Sequence, residues 1–490
     1  MSEIARLSSS RLDTLRDGVR VPAYDREAVR PGIVHLGVGA FHRGHQAVYV
    51  DDCLAAGEAE WGIVGASLRN TDMRDALVPQ DCLYAISVED GERAAVRIIG
   101  SITSVLVAPE DPAALLDALT DPGVRIVTLT VTEKAYLRDV SGALDFSHQD
   151  IAWDLTNPAQ PRTVHGFIVE AVARRRAAGT APFTVLSCDN LPSNGATLKR
   201  LVVEFAIRCD AGLGAFIERE VAFPSSMVDR IVPATTNEDR ERISGALGAR
   251  DAWPVKTEPF LQWVVEDNFS SGRPRWEKFG VEMVSDVAPY EDMKLRLLNG
   301  AHSAIAYLGL LMGKETIADS FADPLVREFV SRQWAEVIPT LPQDAGLDPA
   351  AYTHRLTNRF GNTALRHRTA QVGMDGSQKL PQRVIVTSLE RLDEDAGITH
   401  LMMVPAAWIA AAEQRGRSLP EGHFTDPLDS ELAAIFVADL DAAGTVNAVF
   451  SAAGFATGSP YRSELVAIAA RYLDSLRRDG PQATLSELLS

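Results

Sequence analysis

The first half of the chain alternates short apolar runs with segments of helical period. "GIVHLGVGAF" reads as a strand running into a glycine turn, and "RGHQAVYVDDCLAAG" as the helix that follows. "WGIVGASLRN" and "VRIVTLTVTE" read as further strands, "VHGFIVEAVARRRAAG" as a helix closed by Gly179, and "FTVLSCDN" as another strand. Strands alternating with helices make a parallel sheet, because each strand needs a crossover to rejoin its neighbour in the same direction. From about residue 286 the pattern changes. "MKLRLLNGAHSAIAYLGLLMG", "PLVREFVSRQWAEVI" and "SELVAIAARYLDSLRRDG" carry apolar residues at helical spacing. The expected class is α/β, with a doubly wound sheet domain over residues 1–285 and a mainly α-helical domain over 286–490. The break is placed near "DVAPYEDM", where Pro289 interrupts the periodicity.

Composition narrows the function classes. A chain of 490 residues, 46% hydrophobic and 23% charged, is long enough for two or three globular domains. A net charge of −18 with no basic stripe excludes general affinity for nucleic acid or an anionic membrane. A small anionic substrate stays compatible, since a few local arginines dominate at short range. Cys53, Cys82, Cys188 and Cys209 lack CxxC spacing and read as reduced thiols, not as a disulfide framework or a zinc site. The N-terminus does not read as a signal peptide, and no apolar run reaches the roughly 20 residues that span a bilayer. The expected location is the cytoplasm.

Two stretches carry chemistry. After the first strand, Gly37 and Gly39 stand where a dinucleotide-binding turn needs a tight reversal and close backbone approach to a pyrophosphate. His42 takes the place of the third glycine, so the signal also fits an ordinary strand-to-helix turn. Phe41 is positioned to cover a flat ring and Arg43 to contact phosphate. Asp72, in "LRNTDMRD", either accepts from a ribose hydroxyl, which disfavours a 2′-phosphate, or caps the next helix. The second stretch is "KLRLLNGAHS", which places Lys294, Asn299 and His302 in an apolar helical run. At about 100° per residue, Asn299 lies about 140° and His302 about 80° round from Lys294, so the three can share a face. A buried lysine is costly unless something uses it.

The segments "GVGAFHRGHQAVYVDD", "TVTEKAY", "SCDNLPSNG", "FPSSMVDRIVP", "EPFLQWVVEDNF", "MKLRLLNGAHSAIAYLG" and "MDGSQKLPQR" together resemble the long-chain polyol-specific dehydrogenases, the mannitol dehydrogenase family. The resemblance implies a Rossmann-type NAD-binding domain, a helical substrate domain, an active site in the cleft between them and no catalytic metal. It implies hydride transfer between a secondary alcohol and a ketone. In that scheme Lys294 is the general acid–base, Asn190 and Asn299 donate to the substrate oxygen, and His302 binds a neighbouring hydroxyl. Glu133 and Glu291 connect the lysine to solvent, although helix capping also explains Glu291. Asp229 and Lys379 bind substrate, with a salt bridge to Arg230 as the alternative for Asp229. Gly37, Gly39, Phe41, Arg43 and Asp72 would hold NAD, and His35, His42 and His45 would be structural. The partner implied is a small molecule (a ketose, hexuronate or polyol); a monomer is one state open to the chain, and the sequence does not fix the oligomeric state.

Substrate choice is read from "NTALRHRTAQVGMDGSQKLPQR". Mannitol 2-dehydrogenases carry an arginine where this chain has Gln371, and here Arg366, His367 and Arg368 supply the basic residues. That stretch resembles fructuronate reductases, and a guanidinium fork suits the carboxylate that separates D-mannonate and D-fructuronate from mannitol. Surface ion pairs explain the same arginines. "DGVRVPAY" leans towards mannitol 2-dehydrogenases, so these stay as the alternative, with D-arabinitol and tagaturonate enzymes behind them. A non-catalytic NAD sensor and an epimerase are other classes. The intact Lys294, Asn299, His302 and Asn190 argue against a sensor, which needs no such set.

Overall fold

The structure, a computed structural model, describes residues 4–139, 141–343, 345–418 and 424–490. The chain divides into two compact units, Met1–Ala288 and Pro289–Ser490.

In the first unit the buried, β-branched runs form a parallel sheet. Its strands are β1 (Pro31–Leu36), β2 (Gly62–Ser67), β3 (Ile102–Val107), β4 (Ile126–Leu129) and β5 (Thr184–Ser187). They lie in the order β3-β2-β1-β4-β5, with every pair parallel. Residues alternate between faces. Val34, Leu36, Val127 and Leu129 face a core with Phe167, Ile168 and Leu198, while Ile33, Ile63 and Ile126 face one with Tyr49, Trp263 and Trp276. Helices therefore cover both faces, as the doubly wound reading requires. Strand order reverses between β1 and β4, and at such a switch point the carboxyl ends of the strands leave a crevice. Gly37 ends β1 there with φ +96°, and a Cβ on it would stand 2.2 Å from the Thr130 carbonyl oxygen, so only glycine fits.

Two further three-stranded sheets escaped the sequence reading. One joins Tyr84–Asp90, Arg93–Ile99 and Val255–Thr257, and the other Ser226–Asp229, Gln262–Glu266 and Glu282–Val284. Several of these strands are short, and the first part of Arg93–Ile99 is exposed, so no apolar run marks them.

In the second unit the described residues form helices and turns, with a single bridge between Thr316 and Arg368. A fully buried helix, Gly300–Leu311 through Gly309, packs against Thr399–Ser418. Pro324–Val337 and the long C-terminal segment Arg462–Leu489, broken at Gly480, complete the layers expected from the helical pattern. No helix among the described residues is long and apolar enough to cross a membrane.

Burial of histidine makes the first unit acid-sensitive. His165 is fully buried with neither ring nitrogen hydrogen-bonded, and burial pushes its pKa from 6.5 down to about 3. Between those values the unfolded chain binds a proton that the folded chain does not, so stability falls as pH drops. His165→Gln should flatten the acid limb of unfolding free energy by about 1.4 kcal/mol per pH unit. Urea unfolding across that window measures the slope.

Candidate active site

The crevice at the switch point is a cleft of about 650 Å³ whose lining includes Gly37, Gly39, Ser67, Asp72 and Thr132. Its floor is set by backbone bonds: the Gly37 N–H donates to Ala66 O at 2.9 Å and the Thr130 N–H to Leu36 O at 3.0 Å. Beneath it, His35 bonds Thr128 Oγ1 at 2.7 Å and stacks on His42 with ring centroids 3.3 Å apart. His45 bonds the Gln262 carbonyl at 2.7 Å. The three histidines therefore build the core under the turn. Asp72 is the first residue of the helix Asp72–Leu77, one place past the cap position, and it is exposed on the cleft wall.

One wall of the cleft is strained. Thr132, in residues 131–137, has φ +73°, which is unusual for a β-branched residue and costs on the order of 1–3 kcal/mol. Asp189 holds it. One carboxylate oxygen accepts the Val131 and Thr132 N–H groups at 2.9 and 3.0 Å, and the other accepts the Tyr136 hydroxyl at 2.9 Å. Burial pushes the Asp189 carboxyl above its ordinary value, while these donors oppose the rise. The sequence reading passed over Asp189 because it looked only at its neighbour Asn190, which is exposed at the end of β5. Asn194 closes the same loop, donating to Asp189 O at 3.0 Å and to Ser226 O at 2.8 Å. It thereby ties the loop to the strand that carries buried Asp229. Arg230 donates to the carbonyls of Gly44 and Glu258. Glu133 is exposed at the start of the short turn Glu133–Tyr136.

In the second unit, residues 288–311 run as one helix with a widened, π-type turn at Lys294–Asn299. In an i→i+5 turn, residues five apart sit about one turn apart on one face instead of about 140° round as in an α-helix. Lys294 and Asn299 are five apart. Lys294 and His302 are buried and Asn299 is half-buried, while Glu291 is half-buried in the turn before. His302 packs against Phe360 at 4.8 Å and edge-on to His367 at 5.5 Å, and its Nε2 has no hydrogen-bond partner among the described residues. Burial, then the charges of His367, Arg359, Arg383 and Lys294, holds its imidazole well below its ordinary pKa. Lys379 donates to Met374 O at 2.7 Å beside Asp375, and burial with the Arg383 charge lowers its pKa.

One expectation, phosphate contact by Arg43, is corrected. Arg43 is fully buried, donates to the Trp253 carbonyl and lies 5.2 Å from the Tyr84 ring centroid, so it supports the fold and does not line the cleft. Phe41, half-buried, stacks on His45 at 5.0 Å and packs against the core. Both residues lie in a short helix, Ala40–Gly44, whose residues 42–44 are buried. Arg366 is exposed and paired with Glu315 at 3.5 Å. Arg368 is exposed, with its backbone bridged to Thr316. The guanidinium groups that act on His302 are those of Arg359 and Arg383. Neither stood out in sequence, although Arg383 ends the "SQKLPQR" stretch.

Comparison with known proteins matches residues 31–278 to the mannitol dehydrogenase Rossmann domain and residues 286–477 to the mannitol dehydrogenase C-terminal domain. The chain is 41% identical to D-mannonate oxidoreductase of Escherichia coli (strain K12), over 92% of this chain and 94% of that one. It is 43% identical to mannitol 2-dehydrogenase of Cereibacter sphaeroides, over 79% of this chain and 82% of that one. Among solved structures it is similar to Pseudomonas fluorescens mannitol 2-dehydrogenase in a ternary complex with NAD and D-mannitol, with TM-score 0.86, 38% identity and 99% of each chain covered.

If Asp189 is what holds the strained wall, Asp189→Ala leaves buried amide donors unmet. Unfolding free energy should fall by about 1–3 kcal/mol. Amide exchange should rise first in residues 131–137, and a rise spread evenly over the unit would contradict the assignment.

Proposed function

Because the chain belongs to the mannitol dehydrogenase family, we propose that it is an NAD-dependent oxidoreductase that transfers hydride between a secondary alcohol and a ketone, with D-mannonate and D-fructuronate as the pair. The observation that carries the substrate is the charge around His302. Arg359 and Arg383 act on it and stay charged at neutral pH, while burial holds the His367 pKa down to about 4. A hexuronate carboxylate offsets such a cluster, and a neutral polyol does not.

The cleft at the switch point suits NAD. The glycine turn allows close backbone approach to a pyrophosphate, and Asp72 on the wall suits a ribose hydroxyl. Bound NAD supplies the hydride acceptor. Lys294 takes the alcohol proton in oxidation and returns it in reduction. Ordinary lysine, with pKa near 10.4, is a poor base at neutral pH, so a lysine base needs surroundings that favour its neutral amine. The carboxamides of Asn190 and Asn299 donate to the substrate oxygen as it gains alkoxide character. His302, neutral at pH 7 and with Nε2 unmet, bonds a neighbouring hydroxyl. Asp229 and Lys379 bind further hydroxyls, and Glu133 and Glu291 pass the proton to solvent.

Mannitol and fructose are the second reading. The pairing of Arg366 with Glu315 favours it, because that charge is met by a carboxylate of the chain itself.

Lys294→Ala should leave cofactor affinity nearly intact and lower turnover by at least about a hundredfold. Titration of NADH fluorescence and absorbance at 340 nm separate the two effects, and near-normal turnover would remove the lysine from the mechanism. With the wild-type chain, fructuronate should exceed fructose in kcat/KM by ten- to a hundredfold or more, from a charge-assisted bond of roughly 1.5–3 kcal/mol. Added salt should narrow that gap. Equal efficiencies would favour the mannitol reading.

A further inference from the structure

Among its described residues the second unit contains two π-type turns, and they meet. Lys294–Asn299 packs against Pro381–Ile385, and both interrupt longer helical segments. Such turns are rare and mark either strain or a function that uses it. Pro381 has no N–H to give to the helix before it, which accounts for the opening of the second turn. Nothing in "KLRLLN" accounts for the first, since it lacks proline and its glycine comes afterwards.

The first turn is held from outside. Arg383 Nη1 donates to the Asn299 carbonyl at 3.3 Å and to Ser303 Oγ at 3.0 Å, and Ser303 Oγ donates to the same carbonyl at 3.2 Å. The carbonyl that ends the widened turn thus receives a charged donor and a hydroxyl at once. Gly300 makes the approach possible: a Cβ on it would stand 3.2 Å from the Arg383 carbonyl oxygen. A guanidinium is costly to desolvate, so its placement against a carbonyl and a hydroxyl, with no carboxylate among the described residues at hydrogen-bond distance, needs a reason.

We propose that Arg383 is a positioning residue: by clamping the Asn299 carbonyl it keeps the Lys294–Asn299 turn widened, and so keeps the lysine amine and the Asn299 carboxamide on one face. This rests on the reading that those two groups serve hydride transfer. Without the clamp the helix returns to α spacing, and Asn299 swings about 140° from Lys294. The cofactor still binds, but the two groups no longer act on one oxygen. A misplacement of about 1 Å at such a site costs about a hundredfold in rate.

The test compares Arg383→Met, Arg383→Lys and Ser303→Ala in the full-length chain, by amide exchange and by steady-state kinetics. In Arg383→Met, exchange in residues 294–303 should rise about tenfold while the rest of the unit keeps its protection. kcat should fall about a hundredfold with the KM for NADH unchanged. Arg383→Lys, whose ammonium reaches one acceptor, should recover part of both. Ser303→Ala should show a smaller loss of the same kind, and it stands in if the methionine variant does not fold. Normal kcat in Arg383→Met, or protection lost evenly across the unit, overturns the proposal. If the wild type is active and Lys294→Ala is not, that result leaves the reaction standing and removes only the clamp. If the wild type reduces no ketose, the reaction fails, and the exchange pattern alone decides whether Arg383 holds the turn.

Discussion

Charge and polarity taken out of water govern this molecule. The helical segment of residues 288–311 buries Lys294, Arg296 and His302 among leucines and alanines, where an unmet charge would unfold a domain. Arg296 is met by Glu390, with Nη2 donating to Oε1 at 3.0 Å, and by Thr340 Oγ1 at 2.9 Å. His302 meets the problem by staying neutral. A satisfied arginine is structural, whereas a neutral imidazole with an unmet Nε2 is available to a ligand. The same segment therefore carries both kinds of buried polar residue, and their partners tell them apart.

The first unit applies the constraint to its backbone. A crevice at a switch point needs a chain that leaves the sheet abruptly, and abrupt departures leave peptide groups unpaired. Gly37 solves one departure by conformation, with a φ that side chains rarely adopt. Residues 131–137 solve the other with a buried carboxylate, Asp189, which gathers two amide donors and a phenol. That arrangement is strained at Thr132 and is maintained by its surroundings, as is common where a wall must present particular groups to a ligand.

What was legible in the sequence follows from this. β1, β2, β4 and β5 are buried on both faces and show as unbroken apolar runs, so the parallel sheet could be read directly. The mixed strand Arg93–Ile99, exposed at one end, could not. Lys294 and His302 stood out because a polar residue in an apolar stripe is visible in one dimension. Asp189 and Arg383 did not, because their significance lies in contacts with residues far along the chain. Arg43 misled for a related reason. Its place after the glycine turn suggested phosphate, but the short helix that carries it turns residues 42–44 into the core.

The spacing of Lys294 and Asn299 shows where periodicity reasoning stops. Counting at a constant angle puts them about 140° apart, which allows a shared broad face but not two groups aimed at one oxygen. The count fails because the helix changes its own period at that place, and nothing between the two residues announces it. A widened turn is less favourable than an α-turn, so it persists only where tertiary contacts supply the difference. Those contacts come from residues 376–393, about ninety positions later in sequence. The local geometry of the lysine helix is therefore a property of the unit as a whole. A segment cut out of the chain would be expected to run as an ordinary α-helix and to lose the alignment.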